Sequence, residues 1–251
     1  MYPILFERGD FVIHTYGLFV ALGFLAAFWL MGREARRLGL EQQDFQDLGL
    51  VILVAALAGS RLFYVLVEWE YFVENPLHVF FLWKGGLVFY GGFICAALAI
   101  AWFIRAKGMP LLGTLDVAAP ALALGQTLGR VGCFFAGCCY GAECDLPWAV
   151  TFTDPRSLAP QGVALHPTQL YSALSALAIF VFLYFWLRPR QKFDGQLFGA
   201  YLVLYPAVRF AVEVLRNDPR GSLGPLSTSQ ALGIPLFFFG LWILTRKRSP
   251  S

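Results

Sequence analysis

The segment Gly129–Gly141, "GRVGCFFAGCCYG", combines one fixed positive charge with four glycines and three cysteines at the end of an apolar run. A guanidinium group stays protonated, and its planar fork matches the geometry of a phosphate group. Glycines allow the backbone to approach a bulky ligand closely. Arg130 and its glycines therefore predict a site that handles a phosphate-bearing molecule, but this chemistry does not explain the cysteines.

Two more arginines, Arg61 and Arg209, also lie within apolar runs. A charge inside a membrane segment is costly and therefore indicates a function. Tyr205, Arg209 and Glu213 follow one another at intervals of four residues. This spacing places the three side chains on one face of a helix and predicts an ion pair between Arg209 and Glu213.

The composition predicts which elements position these residues. The chain of 251 residues is 58% hydrophobic and 14% charged, with a mean hydropathy of +0.63, whereas a soluble domain is about 25% charged. These values predict an all-α polytopic membrane protein. No Ser/Pro-rich or low-complexity linker divides the chain, so we expect a single transmembrane helical domain over residues 1–251. The net charge of +3 is small, and no nucleic-acid partner is expected.

Seven apolar runs are long enough to cross a bilayer, which needs roughly 20 residues per helix. The predicted spans are Phe11–Met31, Leu48–Val67, Gly85–Ile104, Leu111–Phe135, His166–Leu187, Leu197–Leu215 and Thr228–Thr245. The first run is not a cleaved signal peptide by pattern, because it is too long and Glu7, Arg8 and Asp10 precede it instead of a basic region.

The positions of Lys and Arg predict the orientation, because short cytoplasmic loops are enriched in both residues. With seven spans, 11 of the 19 basic residues fall on one side: Arg33, Arg36, Arg37, Arg105, Lys107, Arg188, Arg190, Lys192, Arg246, Lys247 and Arg248. The other side holds Arg8, Lys84, Arg156, Arg216 and Arg220. We therefore expect a periplasmic N-terminus, a cytoplasmic C-terminus and short periplasmic segments near residues 67–84 and 136–165.

In this topology the three intramembrane arginines lie at one depth. Arg61, Arg130 and Arg209 each sit within about 10 Å of the outer end of a span, at 1.5 Å per residue. Polar residues at the same depth are His14, Tyr16, Tyr90, His166 and Gln169. The natural anion at this depth is a phospholipid head group. The residues therefore predict a phospholipid-binding cavity in the outer leaflet.

Five motifs in this order resemble those of prolipoprotein diacylglyceryl transferases, the enzymes that lipidate bacterial lipoproteins. They are "GSRLFYVL" at Gly59–Leu66, "WKGGLVFYGG" at Trp83–Gly92, "GRVGCFFAGCCYG" at Gly129–Gly141, "HPTQLY" at His166–Tyr171 and "YPAVRFAVEVLRNDPRG" at Tyr205–Gly221. The resemblance extends from about Tyr16 to the last helix. An ordered set of five motifs is far more specific than any one of them.

The resemblance implies transfer of the diacylglyceryl group of phosphatidylglycerol to the lipobox cysteine thiol of a prolipoprotein, with release of glycerol 1-phosphate. It implies a multi-pass protein of the bacterial inner membrane that contacts prolipoprotein signal peptides and membrane lipids and uses no metal or organic cofactor. Arg130 and Arg209 match the family's essential arginines. The residues predicted to bind phosphatidylglycerol are Arg61, Tyr16, Gly91, Cys133, Gly141, Tyr205, Glu213, His166 and Gln169.

This sequence also departs from the commoner family pattern at three positions. Cys133 stands where an Asn is usual, Cys138 stands where an acidic residue is usual, and Tyr90 stands where a His is usual. Tyr90, His14 and His166 therefore all stay candidates for accepting the proton of the substrate thiol. The predicted catalytic residues are Arg130, Arg209 and Tyr90. A different lipid or acceptor substrate is the alternative within the family.

Cys133, Cys138, Cys139 and Cys144 lie within twelve residues on the predicted outer side. An oxidising compartment favours disulfides, and of the three pairings the one with a vicinal Cys138–Cys139 bond is strained. A zinc site is the less favoured alternative, because the spacing lacks C-x2-C pairs. The rival functions are a membrane thiol–disulfide oxidoreductase, which gives the arginines no role, and a lipid-binding scaffold or transporter.

Overall fold

The computed structural model describes residues 1–9, 11–37, 39–81, 86, 88–218, 221–223 and 226–246. Some sequence predictions lie outside these residues. They concern Lys84, Arg220, Lys247 and Arg248 of the charge pattern, Gly85 at the predicted start of the third span, and the C-terminal residue Ser251.

The described chain is mostly helical. The α-helices are α1 (Thr15–Arg37), α2 (Gln42–Val67), α3 (Trp69–Glu74), α4 (Phe89–Ala106), α5 (Leu111–Ala136), α6 (Thr168–Val181), α7 (Gln196–Glu213) and α8 (Thr228–Thr245). A 3-10 helix covers Pro76–Phe80, and α6 continues into a π-helix at Phe182–Leu187 and a 3-10 turn at Arg188–Arg190. Six short strands form antiparallel pairs: β1 (Ile4–Arg8) with β2 (Phe11–His14), β3 (Val150–Thr151) with β4 (Ala164–Leu165), and β5 (Ser222–Leu223) with β6 (Leu226–Ser227).

Five helical stretches in the described residues are long and apolar enough to cross a membrane, which confirms a helical membrane protein. They are Thr15–Arg37, Gln42–Val67, Leu111–Ala136, Thr168–Arg190 and Thr228–Thr245. The other two predicted spans correspond to α4, whose apolar stretch of Tyr90–Ala106 is shorter, and α7. The first predicted span, Phe11–Met31, was wrong at its start, because Phe11–His14 forms β2 against β1 and the helix begins only at Thr15.

The described chain divides into two compact units, residues 1–30 with 112–251 and residues 31–111. In the first unit, α5, α6, α7 and α8 share a core of small and large apolar side chains. Its buried members are Ala119, Ala123, Ile179, Leu183, Leu187, Leu197, Ala200, Tyr201, Leu202 and Ile243. The alternation of alanines with leucines allows these helices to pack closely, as is usual for helices in membranes.

A buried carboxylate ties the start of α7 to α5. Asp116, only 2% exposed, accepts hydrogen bonds from the Gly195 backbone N–H at 2.5 Å, the Phe198 N–H at 2.8 Å and the Gln191 side chain at 2.7 Å. Gly195 precedes α7 with a φ of 94°, a left-handed conformation that favours glycine. The first N–H groups of a helix lack partners within the helix. Asp116 therefore supplies this helix end with its acceptor.

In the second unit, α2 and α4 cross at glycines. A Cβ atom on Gly91 would lie 2.5 Å from the Gly59 carbonyl oxygen and from the Phe63 Cβ, and one on Gly59 would lie 2.5 Å from the Cys95 Cβ. These distances are far below a van der Waals contact. Gly91 and Gly92 of the second motif therefore contribute close helix packing in this unit.

Arg61 lies in the same unit and is 7% exposed. Its guanidinium group donates to the backbone carbonyls of Val79 at 2.9 Å, Gly86 at 3.1 Å and also His78, and it lies over the Phe72 ring at 5.3 Å from the centroid. The structure therefore gives Arg61 a role in holding His78, Val79 and Gly86 against α2. Lipid binding by Arg61 stays a prediction.

Candidate active site

A narrow pocket lies between α5, α6 and α7 in the first unit. Its polar lining residues are Gln126 and Arg130 from α5, Ser172 and Ser175 from α6, and Tyr205 and Arg209 from α7. The remaining lining is aliphatic. The cavity therefore pairs two guanidinium groups with an apolar wall, which suits a molecule that has both an anionic group and a hydrocarbon part.

Arg130 projects into this cavity from the last turns of α5. Its Nη1 donates to the Cys139 sulfur at 3.5 Å, and the Tyr205 hydroxyl is a second hydrogen-bonding partner. The Tyr205 ring stacks on the Tyr201 ring, with centroids 5.5 Å apart and an interplanar angle of 10°. Packing therefore fixes both the tyrosine and the guanidinium group that it contacts, so the site is preorganised.

Arg209 contributes the second guanidinium group from α7. It forms the predicted ion pair with Glu213 one turn later, which confirms the spacing argument. The Arg209 side chain is 14% exposed and the Glu213 side chain only 2% exposed. A buried carboxylate of this kind keeps Arg209 in one orientation, because the charge of Glu213 needs a cationic partner.

A third arginine, Arg216, lies just beyond α7. It binds Asp218 through two hydrogen bonds, Nε to Oδ1 at 2.8 Å and Nη2 to Oδ2 at 2.7 Å. Burial lowers the pKa of Arg216, but the hydrogen bonds to Asp218 and the nearby Cys139 outweigh burial and raise that pKa above its ordinary value. Arg216 also interacts electrostatically with Arg130 and Arg209. The described site therefore gathers three guanidinium groups, of which Arg209 and Arg216 are paired with carboxylates.

The cysteine segment after α5 lies directly beside Arg130. The sulfur atoms of Cys133, Cys138 and Cys139 all lie within 4.8 Å of one another, and the three cysteines are free thiols. Hydrogen bonds from Cys133 and Cys138 hold the pKa of Cys139 below its usual range, with help from Arg216 and Arg130, although burial opposes them. The pKa of Cys138 is raised by its hydrogen bonds to Cys133 and Cys139 and by burial. The pKa of Cys139 therefore lies below that of Cys138.

Two side chains at the start of α6 hold the backbone of this segment. The Thr168 hydroxyl donates to the Cys139 carbonyl at 2.7 Å, and the Gln169 amide donates to the Cys138 carbonyl at 2.9 Å. Both side chains are 1% exposed. Gln169, predicted as a lipid-binding residue, thus supports the cysteine segment, and its contact with lipid stays a prediction.

Gly141 and His166 lie where three chain segments meet. The Gly141 N–H donates to the His166 carbonyl at 3.1 Å, and the next residue, Ala142, donates to the Leu215 carbonyl at 2.9 Å. The His166 Nδ1 lies 3.4 Å from the Tyr171 hydroxyl. The motif glycine therefore joins the end of the cysteine segment to the residues that flank α6 and α7.

The structure brings most of the predicted site residues together in the first unit. Tyr16 is 45% exposed and interacts electrostatically with the three clustered cysteines and Arg130. Cys144 is not part of the described three-sulfur cluster. Arg61, Tyr90 and Gly91 belong to the other compact unit, where Tyr90 is 48% exposed. Their roles in lipid binding and catalysis stay predictions.

Sequence reasoning missed Gln126, Ser172, Ser175 and the pairing of Arg216 with Asp218. Helical spacing contained a signal for some of them. Gln126 precedes Arg130 by four residues, and Arg216 follows Arg209 by seven, which is about two turns. A search for polar residues at these intervals from the two motif arginines would have found both.

Comparison with known proteins agrees with this geometry. The family model described as prolipoprotein diacylglyceryl transferase matches residues 3–246. Proteins named phosphatidylglycerol--prolipoprotein diacylglyceryl transferase from Clostridium tetani and Solidesulfovibrio magneticus are 35% and 39% identical to this chain. The alignments cover 99% and 98% of this chain and 98% and 94% of those proteins, respectively. A protein of the same name from Bordetella avium is 37% identical, over 98% of this chain and 96% of its own length. The chain therefore belongs to the prolipoprotein diacylglyceryl transferase family.

Proposed function

We propose that this protein transfers the diacylglyceryl group of phosphatidylglycerol to the lipobox cysteine thiol of bacterial prolipoproteins and releases glycerol 1-phosphate. One structural observation carries the proposal, namely the pair Arg130 and Arg209 in a partly apolar cavity between membrane helices. The two guanidinium groups suit the lipid phosphate, and the aliphatic wall suits the diacylglyceryl part. The names of the relatives supply the identity of the lipid and of the acceptor.

In the proposed reaction the acceptor thiol loses its proton, and its sulfur attacks the glyceryl carbon that carries the phosphate. A carbon–sulfur bond forms and the carbon–oxygen bond to the phosphate breaks. The bonding electron pair leaves with the phosphate oxygen, so negative charge grows at that atom. Arg130 and Arg209 stabilise this charge with preorganised hydrogen bonds, which contribute most where water is excluded.

Neighbouring residues hold these two arginines ready for the leaving phosphate. The Tyr205 hydroxyl contacts Arg130, and Glu213 orients Arg209 through the ion pair. Gln126, Ser172 and Ser175 line the same cavity and offer hydrogen-bonding groups to a glycerol head group. The candidates for accepting the proton of the acceptor thiol are Tyr90, His14 and His166. Arg61, Tyr16, Gly91 and Gly141 are retained as further lipid-binding candidates.

The proposed setting is the bacterial inner membrane, which the chain crosses seven times as one transmembrane helical domain. The N-terminus is placed in the periplasm and the C-terminus in the cytoplasm. Apolar helices and the asymmetry of basic residues in the short loops support this topology. The lipid substrate then reaches the cavity from the outer leaflet, and the prolipoprotein presents its cysteine from its signal peptide at the same surface.

The direct test uses purified full-length protein in detergent micelles that contain phosphatidylglycerol, with a synthetic lipobox peptide as the acceptor. Mass spectrometry follows the diacylglyceryl thioether, and an enzymatic assay follows glycerol 1-phosphate. We expect Arg130→Ala to lower turnover by ~10²–10³. Arg130→Lys should not restore full turnover, because an ammonium group lacks the planar fork.

The matched control is Arg156→Ala, since Arg156 lies in the same unit but is 50% exposed and pairs with Glu7 and Asp154. This variant should keep full turnover. Wild-type protein that makes no thioether with phosphatidylglycerol would refute the proposed function. Full turnover in Arg130→Lys would refute the bidentate role of the arginine while leaving the function intact.

A further inference from the structure

The thiols of Cys133, Cys138 and Cys139 lie close together, although their spacing in the sequence is not the usual metal-binding pattern. Cys133 belongs to α5, whereas Cys138 and Cys139 follow that helix, and their sulfur atoms lie within 4.8 Å of one another. In the described residues, Cys95 and Cys144 are not part of this cluster. The reaction derived above uses none of the three thiols, so their convergence needs an explanation of its own.

The backbone explains how two consecutive residues can contribute to one cluster. In extended or helical conformations, consecutive side chains point in different directions. Cys139 has a φ of 61°, the one left-handed non-glycine residue in the described part of the chain. Such a conformation is uncommon for a residue with a side chain and marks a site held by its surroundings. Hydrogen bonds from Thr168 and Gln169 to the Cys139 and Cys138 carbonyls provide that hold.

The sulfur arrangement is close to that of a zinc thiolate site. A Zn–S bond of about 2.3 Å in a tetrahedral complex places sulfur atoms about 3.8 Å apart. The upper limit of 4.8 Å between these sulfurs therefore leaves adjustments of about 1 Å or less, which small side-chain rotations can supply. Three protein ligands and one open position are the pattern of a catalytic zinc site.

We propose that Cys133, Cys138 and Cys139 bind one Zn²⁺ ion through their thiolates and leave its fourth position open for the acceptor thiol. This inference rests on the proposed function and deepens it, because it identifies where the acceptor cysteine loses its proton. It departs from the expectation that no metal is used, which came from the family resemblance. It also replaces the predicted disulfide, since one sulfur cannot form both bonds.

The surrounding charges are compatible with this ion. Three thiolates and one Zn²⁺ ion carry a net charge of −1, and Arg130 and Arg216 lie close enough to interact with Cys139. The Arg130 Nη1, 3.5 Å from the Cys139 sulfur, donates to a metal ligand in the way that outer-shell groups orient ligands elsewhere. Because Arg130 also lines the cavity, one side chain connects the metal site to the lipid phosphate.

The zinc site also explains how the acceptor thiol loses its proton without a base from the protein. A thiol that coordinates a metal ion is deprotonated outright. The acceptor thiol would release its proton to water on binding, and its sulfur would remain a nucleophile beside Arg130. Attack on the glyceryl carbon then forms the thioether and expels glycerol 1-phosphate. The neutral thioether is a weaker ligand than a thiolate and dissociates, which frees the fourth position for the next acceptor.

The first test is the metal content of the full-length protein, purified without reductant or chelator from cells grown with zinc. Elemental analysis should find one zinc per chain. Cys139→Ser and Cys138→Ser should reduce this to background, whereas Cys95→Ser and Cys144→Ser should keep it. Absence of zinc from the wild-type protein, or its retention in a triple variant of the three clustered cysteines, would overturn the site.

A second test avoids variants that fail to fold. Wild-type protein with its zinc exchanged for Co²⁺ should show a thiolate-to-cobalt charge-transfer band, and this band should grow when the lipobox peptide binds. A peptide with serine at the lipobox position should leave the band unchanged. If the cysteine peptide also leaves it unchanged, the acceptor does not use the fourth position and the proposal is wrong.

The metal site and the proposed function can fail separately. Active protein that is free of zinc, and in which alkylation without reductant shows a disulfide among these cysteines, would overturn the zinc site and keep the transferase function. Protein that binds zinc through the three cysteines but does not alkylate a lipobox peptide with phosphatidylglycerol would refute the function, and with it the role of the ion in that reaction.

Discussion

The ion pair between Arg209 and Glu213 makes it possible to separate the catalytic role of an arginine from its structural role. Arg209→Gln removes the cation of this pair, while the Glu213 carboxylate, which is 2% exposed, stays in place. Breaking a buried ion pair in this way costs about 3–5 kcal/mol of stability. The same change removes a group that stabilises the leaving phosphate, which lowers turnover by ~10²–10³. Both quantities should therefore fall together.

The double variant Arg209→Gln/Glu213→Gln removes both charges and keeps similar side-chain volumes. Replacement of a whole buried pair is often close to neutral for stability. We expect the double variant to regain most of the stability lost in Arg209→Gln, because both charges of the pair are removed together. Its turnover should stay as low as that of the single variant, because the phosphate still lacks its second guanidinium group.

Thermal unfolding in detergent, followed by intrinsic tryptophan fluorescence, measures the first quantity, and thioether formation at saturating phosphatidylglycerol measures the second. Arg156→Ala is the control, since its 50% exposed ion pairs contribute little to stability. The reasoning fails if the double variant recovers wild-type turnover, which would make Arg209 purely structural. It also fails if Arg209→Gln is as stable as the wild-type protein.

Three further predictions follow from the backbone contacts and the charge pattern. Gly141→Ala should destabilise the protein by about 1–3 kcal/mol. The alanine Cβ would lie 2.5 Å from the His166 Cβ and 2.8 Å from the Leu215 carbonyl oxygen, and an unchanged melting temperature would contradict this packing. Asp116→Ala should cost about 1–3 kcal/mol, because buried N–H groups at the start of α7 lose their acceptor, and hydrogen exchange should accelerate at Gly195 first. A reporter fused to the C-terminus should be active only in the cytoplasm; activity in the periplasm would exclude seven spans with the proposed orientation.

The sequence predicted those features that depend on local spacing. Long apolar runs predicted α5 and α8 to within one residue, Leu111–Phe135 against Leu111–Ala136 and Thr228–Thr245 unchanged. The pair Arg209 and Glu213 was predictable because it lies within a single helix. The start of α1 was not, because a short apolar stretch such as Phe11–His14 has the same hydropathy in a strand as in a helix.

The sequence could not predict contacts between distant segments. The left-handed backbone of Cys139 depends on Thr168 and Gln169, which follow it by about thirty residues. The missing C-x2-C spacing argued against a metal site, yet this backbone conformation brings three sulfurs together without that spacing. In the same way, the carbonyl partners of Arg61 belong to His78, Val79 and Gly86, and the helical pattern of α2 does not reveal them.

The hydrogen bond from the Gly195 N–H to Asp116 joins α5 and α7 at equal distances from their arginines. Arg130 follows Asp116 by fourteen positions, and Arg209 follows Gly195 by fourteen, so each of these two arms is about 21 Å long. The contact between Asp116 and Gly195 therefore sets the position of Arg130 relative to Arg209. One residue inserted into only one arm would raise its arginine by about 1.5 Å and turn it by about 100°. Insertions and deletions in these arms should therefore be tolerated far less than in the loops outside them.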